Sequence, residues 1–209
     1  MNTSTSHQGD LIRFGYHGSL EAAHCLVRAA GADPGTGFEF TQYDLTDPFR
    51  MLRDDELDVM IVKFAMREPD LSVGPCLAHD ARAALLSDRH PLAGEASLSI
   101  EQLAAFPAFR RPGQMPDYVW DMVVPPHSPA GRPIRRVHPS STVEQMVSVL
   151  RSTQAVHMSL ASLAAVAPPD IRVIPIPDLP AAPVMLTWRG PAPARRLARL
   201  LGPGTAGSR

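Results

Sequence analysis

The chain has 209 residues and 44% hydrophobic content, enough to bury a core as one large domain or two small lobes. Twenty basic against 21 acidic residues leave a formal charge of −1, so no net field favours nucleic acid or an anionic membrane, and the pairs Arg110-Arg111 and Arg135-Arg136 are too short to change that. Cys25 and Cys76 match no metal-ligand spacing and read as free thiols in a reducing compartment; with no secretion signal and no run of ~18 apolar residues, the expectation is a cytoplasmic protein with no direct nucleic-acid or membrane partner.

Strand-like and helix-like runs alternate from residue 11 onward, the pattern of an α/β fold with a mostly parallel sheet. Residues 11–17 (LIRFGYH) predict a strand, and 20–30 a helix that stops at Gly31. The alternating run 38–44 (FEFTQYD) predicts a second strand, 48–56 a short helix capped by Asp47, and 58–64 a third strand. Two extended pieces, LSVGPCLAH and ARAALLS, precede a break at DRHPLAGEAS. Ser99 opens a short helix to 106, residues 108–111 (AFRR) form a strand, and 115–124 is an amphipathic segment holding Tyr118 and Trp120. After a Pro- and Gly-rich loop at 125–133 come a strand (IRRVH), a capping box at Ser141–Glu144 opening a helix that ends near 152, and the strand AVHMSL. A short helix at 162–167, the strands IRVIPI and PVMLTWR, and a final helix at 193–201 complete the reading, with disordered tails at 1–10 and 202–209.

Lys63 is the only lysine among the twenty basic residues and stands at the end of an apolar strand. It is either a survivor of an arginine-favouring coding bias or a placed charge. An unpaired ammonium is excluded from an apolar interior, so Lys63 must reach water, pair with Asp44 or Glu68, or meet a ligand.

The segments DDELDVMIVKFAMREPDLSVGPCL, LLSDRHPLAG, LSIEQLAAFP, STVEQMVSVL and IRVIPIPDLPAAPVMLTWRG occur in an order and spacing that resembles the effector-binding domain of LysR-type transcriptional regulators. That domain is similar to type 2 periplasmic binding proteins, and the resemblance covers residues 11–201. It implies an α/β fold of two Rossmann-like lobes joined by two crossover strands, with a small ligand in the cleft between them. Lobe I would comprise 11–82 plus 178–201, lobe II 83–177, and the hinge strands would be ARAALLS and IRVIPI. Regulators of this family begin with a winged helix-turn-helix and a linker helix, whereas Met1 here lies ten residues before the first strand, so the expectation is a stand-alone domain without DNA binding of its own. Side-by-side association in the family implies a homodimer, or a heterodimer with a full-length regulator. The segment STQAVHMSLAS departs from the family in lacking its glycines and proline.

In open α/β sheets ligands sit beyond the carboxyl ends of strands and beside helix N-termini. The rule points to His17, Ser19, Lys63, Phe64, Ser141, Thr142, His157 and Ser159, with Arg111 and Tyr118 from the second lobe. Ser19 and Thr142, each at a helix start, are suited to a carboxylate, and Lys63 adds a full charge, so the expected ligand is a small organic anion or carboxylate. The plainer readings are that Ser19 and Ser141 cap helices, that Arg110 and Arg111 are solvated, and that Tyr118 and Trp120 belong to the core. His17 and His157 stand at predicted strand ends. On an alternative reading they are the acid and base of an isomerase, cyclase, dehydratase or decarboxylase built on the same cleft. No HExxH, GxSxG, P-loop or dinucleotide fingerprint is present, no cofactor is expected, and His17, His79 and His157 do not form a recognisable metal motif.

Overall fold

The run VMIVK, apolar through four residues and ended by a lysine, occupies a strand covered on both faces, which is why it does not alternate. In the computed structural model, which describes residues 11–139 and 142–190, this strand is β3 (Val59–Lys63). It follows β1 (Ile12–Tyr16), α1 (Leu20–Ala29), β2 (Phe38–Gln42) and α2 (Arg50–Arg53). Then come β4 (Ser72–Val73), β5 (Ala78–Asp80), β6 (Arg82–Ser87), α3 (Ile100–Leu103), β7 (Ala108–Phe109), α4 (Asp117–Val123) and β8 (Arg136–His138). The chain continues through α5 (Val143–Ser152), β9 (His157–Leu160), a 3-10 helix (Ala161–Ala165), β10 (Ile171–Pro175) and β11 (Ala182–Trp188). The predicted helix at 193–201, both predicted tails and Ser141 lie outside the described residues.

The first sheet has the order β2-β1-β3-β11-β4, with β5 also pairing β11. One face carries Ile12, Phe14, Val59 and Ile61 against Ala23 and Val27 of α1; the other carries Met60 and Val62 against Leu52, Leu57 and Phe49. The second sheet is β10-β6-β9, and β7 pairs with β8 in a third. Its largest apolar cluster joins Leu85 and Leu86 of β6 to Trp120, Leu150, Met158 and Ile174.

A mostly parallel sheet was the expectation, and among the described residues parallel pairing is confined to β1 with β2, β1 with β3, and β7 with β8. β11 runs antiparallel to β3, and β6 antiparallel to both β9 and β10. β6 leads the chain into the segment that holds α3 to β9, and β10 brings it back alongside, so the two run in opposite directions.

Local expectations are met where the capping chemistry is local. Ser99 and Gln102 form a reciprocal capping box, and α1 gives way at Gly31, whose φ of 85° suits glycine. Asp47 does not cap α2: the Asp44 carboxylate takes the Thr46 N–H at 2.8 Å, turning the chain early, and α2 is a single turn starting after Phe49. α5 is capped by Thr142, whose hydroxyl accepts the Gln145 N–H at 3.1 Å. The segment predicted as a helix at 162–167 is the 3-10 turn.

Candidate functional site

A cavity of about 580 Å³ lies beyond the ends of β1 and β3, against α1, β5 and the 3-10 helix. Its wall is mostly apolar, with Ala22, Ala23, Leu26, Ile61, Leu77 and Val184, and its polar side chains include His17, Ser19, Lys63, His79, Asp80 and Ser162. A mainly apolar cleft of this size with a few convergent polar groups is the usual form of a small-molecule site.

Lys63 is the centre of the polar end. Its Nζ donates to Asp80 Oδ2 at 2.8 Å and to Ser162 Oγ at 2.8 Å, using two of its three protons. Asp80 Oδ1 accepts the Ser162 N–H at 3.2 Å. Burial works to raise the Asp80 carboxyl, and the Lys63 ammonium and the Ser162 donors outweigh it, holding the group below the usual carboxylate range. Neither carboxylate expected for Lys63 is its partner: Asp44 holds the Thr46 N–H, and Glu68 pairs with Arg53 at 2.5 Å. Strand register decides this, since Val184 of β11 is paired on one side with Lys63 and on the other with Ala78, two residues before Asp80.

Ser19 caps α1, accepting the Ala22 N–H at 3.3 Å, and also lines the cavity, so its O–H remains a donor there. His17 Nδ1 lies 3.3 Å from the Tyr43 carbonyl. With the ring proton on Nδ1 that carbonyl accepts it and Nε2 is left an acceptor. Burial pushes the His17 pKa down, Tyr43 partly restores it and the Lys63 charge lowers it further.

The other sequence-predicted residues lie elsewhere. Phe64 is buried beside β3 with a left-handed φ of 82°, its ring 5.2 Å from the Arg82 guanidinium carbon. Ser159 gives its backbone carbonyl to Arg82 at 3.0 Å. His157 packs edge-on against Phe109 and lies 6.3 Å from the Trp120 ring; its Nδ1 is sealed from solvent without a hydrogen-bond partner. Burial, then the Arg82 charge, push its pKa down to about 4. Arg111 is tied to the Gly113 and Met115 carbonyls and to Asp117. Tyr118 donates to Glu68 Oε1 at 3.0 Å and accepts the Arg67 N–H at 2.9 Å, linking α4 to the segment after β3. Thr142 is exposed at the start of α5.

Sequence reasoning thus brought His17, Ser19 and Lys63 to one cavity and missed Asp80, Ser162 and His79 there; it also passed over the buried Arg82, which is not among the residues lining the cavity. Ser162 lies 99 residues from Lys63 and Asp80 lies 17 away, so no local spacing signals them. Arg82 carried a readable signal: an arginine inside the otherwise apolar run ARAALLS.

The family profile described as the LysR substrate binding domain matches residues 12–202. The chain belongs to the LysR substrate-binding domain family. Its fold is the type 2 periplasmic-binding-protein-like α/β fold of two Rossmann-like lobes joined by crossover strands, and its role is that of an effector-binding unit in the regulator family. Among solved structures it is similar to CbnR, a LysR family transcriptional regulator, with a TM-score of 0.69 and 19% identity over 92% of this chain and 68% of that one. The effector-binding domain of a BenM variant gives 0.63 and 14% over 92% and 93% of the two chains. The reduced OxyR regulatory domain from Pseudomonas aeruginosa gives 0.63 and 21% over 91% and 94%. At these identities the likeness carries the fold of the LysR domain and not its ligand. No curated protein matches the sequence. Among the described residues no helix is long and apolar enough to cross a membrane.

Proposed function

We propose that this LysR substrate-binding domain holds a small organic anion, with an apolar body and a carboxylate end, in the 580 Å³ cavity at Lys63. The observation that carries the reading is the single ammonium set in a mostly apolar wall with one proton still free beyond Asp80 and Ser162. The Ser19 hydroxyl and the α1 N-terminus support the same end of the ligand, and the aliphatic wall supports its body. The domain binds and performs no chemistry. An acid-base pair of His17 and His157 would need both rings at one ligand, and His157 is not among the residues lining this cavity. The site senses or sequesters its ligand in the cytoplasm, and the domain associates with a second copy or with a full-length regulator. Its near-neutral charge supports no DNA contact by these residues themselves.

The reading is tested by calorimetry with a panel of aliphatic and aromatic carboxylates and their amides. Carboxylates bind in preference to the matching amides, and Lys63→Met weakens them roughly tenfold or more, the scale of one charge-assisted hydrogen bond. Equal affinity for acid and amide, or no effect of Lys63→Met, overturns it.

A further inference from the structure

Two cations stand near the join between the sheets, and they are held in different ways. Arg82, only 3% exposed, donates to the backbone carbonyls of Ser159, Met122 and Val123 and pairs with no carboxylate among the described residues. Those acceptors belong to β9 and α4, so its ties are part of the frame. Lys63 instead donates to two side chains, Asp80 Oδ2 and Ser162 Oγ, each at 2.8 Å. Side-chain partners can be exchanged without unmaking a strand or a helix.

Ser162 belongs to the 3-10 helix Ala161–Ala165, which has no buried residue and no side-chain cap at Leu160. The pairing of β9 with β6 ends where Leu160 faces Arg82, and one further backbone bond follows, from the Ala161 N–H to the Ala81 carbonyl at 2.8 Å. Beyond that point Ser162 fastens the turn to the first sheet: its N–H meets Asp80 Oδ1 at 3.2 Å and its hydroxyl takes a Lys63 proton. Leu163 passes close to Gly18 at the start of α1, and β10 is the turn's other neighbour. Asp80 therefore does for this turn what a capping side chain does for a helix, giving an early N–H its acceptor, and the Lys63 ammonium holds Asp80 in place.

An ammonium has three protons, and Asp80 and Ser162 use two. A ligand carboxylate that takes the third sets a second negative charge beside Asp80, whose side chain is only 10% exposed. One ammonium cannot neutralise two carboxylates, and like charges repel more strongly where water is scarce. Relief by protonating Asp80 is opposed, because its carboxyl is held below the usual carboxylate range. The remaining relief is for Asp80 to swing away, and the Ser162 N–H then loses its acceptor.

We propose that the 3-10 helix Ala161–Ala165 is a ligand-released clasp: Ser162 docked on the Lys63–Asp80 pair fastens the turn, and a carboxylate arriving at Lys63 displaces Asp80 and frees it. The clasp rests on the reading of Lys63 as a carboxylate anchor and adds a signal to it. Binding loosens one surface segment, from Ser162 to the exposed Val166, while the rest of the cavity wall gains a ligand.

The test measures amide hydrogen exchange over residues 162–166 by NMR, with hexanoate as the probe and hexanamide as its uncharged control. Hexanoate, at concentrations that saturate the heat in calorimetry, speeds exchange at Ser162 and along the turn about tenfold or more, and hexanamide does not. Coupling of this kind is reciprocal, so Ser162→Ala, which weakens the clasp, raises hexanoate affinity about fivefold or more although it removes a polar group from the cavity wall. With no ligand added, Asp80→Ala speeds exchange at Ser162 in the same way; should that variant fail to fold, the Ser162→Ala affinity decides alone. Hexanoate that binds but slows exchange in the turn or leaves it unchanged, or Ser162→Ala that binds hexanoate more weakly, overturns the clasp and leaves the Lys63 reading standing. No heat from hexanoate, or equal affinity for hexanamide, overturns the Lys63 reading and the clasp with it.

Discussion

Lys63 and Asp80 form an ion pair of 2.8 Å, and Ser162 binds both partners, its hydroxyl taking the ammonium and its N–H meeting the carboxylate. A ligand carboxylate at Lys63 therefore competes with Asp80 for the same charge. Asp80→Asn removes the competitor and leaves the ammonium in place, so carboxylates bind more tightly to this variant in calorimetry, opposite in sign to Lys63→Met. The same substitution lowers unfolding stability by about 1–3 kcal/mol, the cost of breaking a charged hydrogen bond in a partly buried site. Weaker carboxylate binding by Asp80→Asn would mean that Asp80 holds Lys63 for the ligand and does not compete with it.

Acid should act through the same pair. The Asp80 carboxyl is held below its ordinary value of 3.8, so its contribution to stability is complete above that pH and is lost as pH falls through the lower folded-state value. Denaturant midpoints taken from pH 5 down to pH 3 fall more steeply for the parent protein than for Asp80→Asn.

His157 gives a pH dependence in a higher window. Its pKa is about 4 in the folded protein against an ordinary 6.5, so the unfolded chain binds the proton first. Stability is complete above pH 6.5 and declines between 6.5 and 4, by roughly 3 kcal/mol at ~1.4 kcal/mol per unit. His17 and His90, also held low chiefly by burial, add slope of the same sign. His157→Phe flattens the curve in this window, and an imidazole resonance of His157 that titrates near 6.5 would contradict the assignment.

Tyr118 links α4 to the loop after β3 through Glu68 and the Arg67 N–H, and Glu68 is itself held by Arg53. Tyr118→Phe keeps the ring under the Arg67 guanidinium and removes the hydroxyl. A stability loss of about 0.5–1.5 kcal/mol is expected, with faster hydrogen exchange at the Arg67 amide. An unchanged exchange rate there would show that the hydroxyl does not hold the loop.

Gly113 supplies the second link, because its backbone passes against Thr46 and the Gln114 N–H donates to the Thr46 carbonyl. A Cβ at this position collides with Thr46 backbone and side chain, and φ is +41°. Gly113→Ala therefore destabilises by about 1–3 kcal/mol and speeds exchange at Gln114; a neutral effect in denaturation would show that the loop shifts freely.

The α/β class, the strands around Phe14, Ile61 and Leu86, and the capping box at Ser99 were legible in the sequence because their causes are local: apolar period, turn residues and a side chain reaching three positions along. So was the placement of His17, Ser19 and Lys63 at one cavity, since strand ends and helix starts converge in this class of fold. The partner of Lys63 was not legible, because Asp80 reaches it through β11, a strand formed a hundred residues later, and Ser162 through the turn after β9. Strand direction in the second sheet was likewise decided only when β6 and β10 met, and the isolation of the Arg82 charge only when α4 and β9 closed over it. Side-chain chemistry within a few residues is written in order along the chain, whereas the pairing of buried charges depends on which strands become neighbours, and that follows from packing the whole molecule.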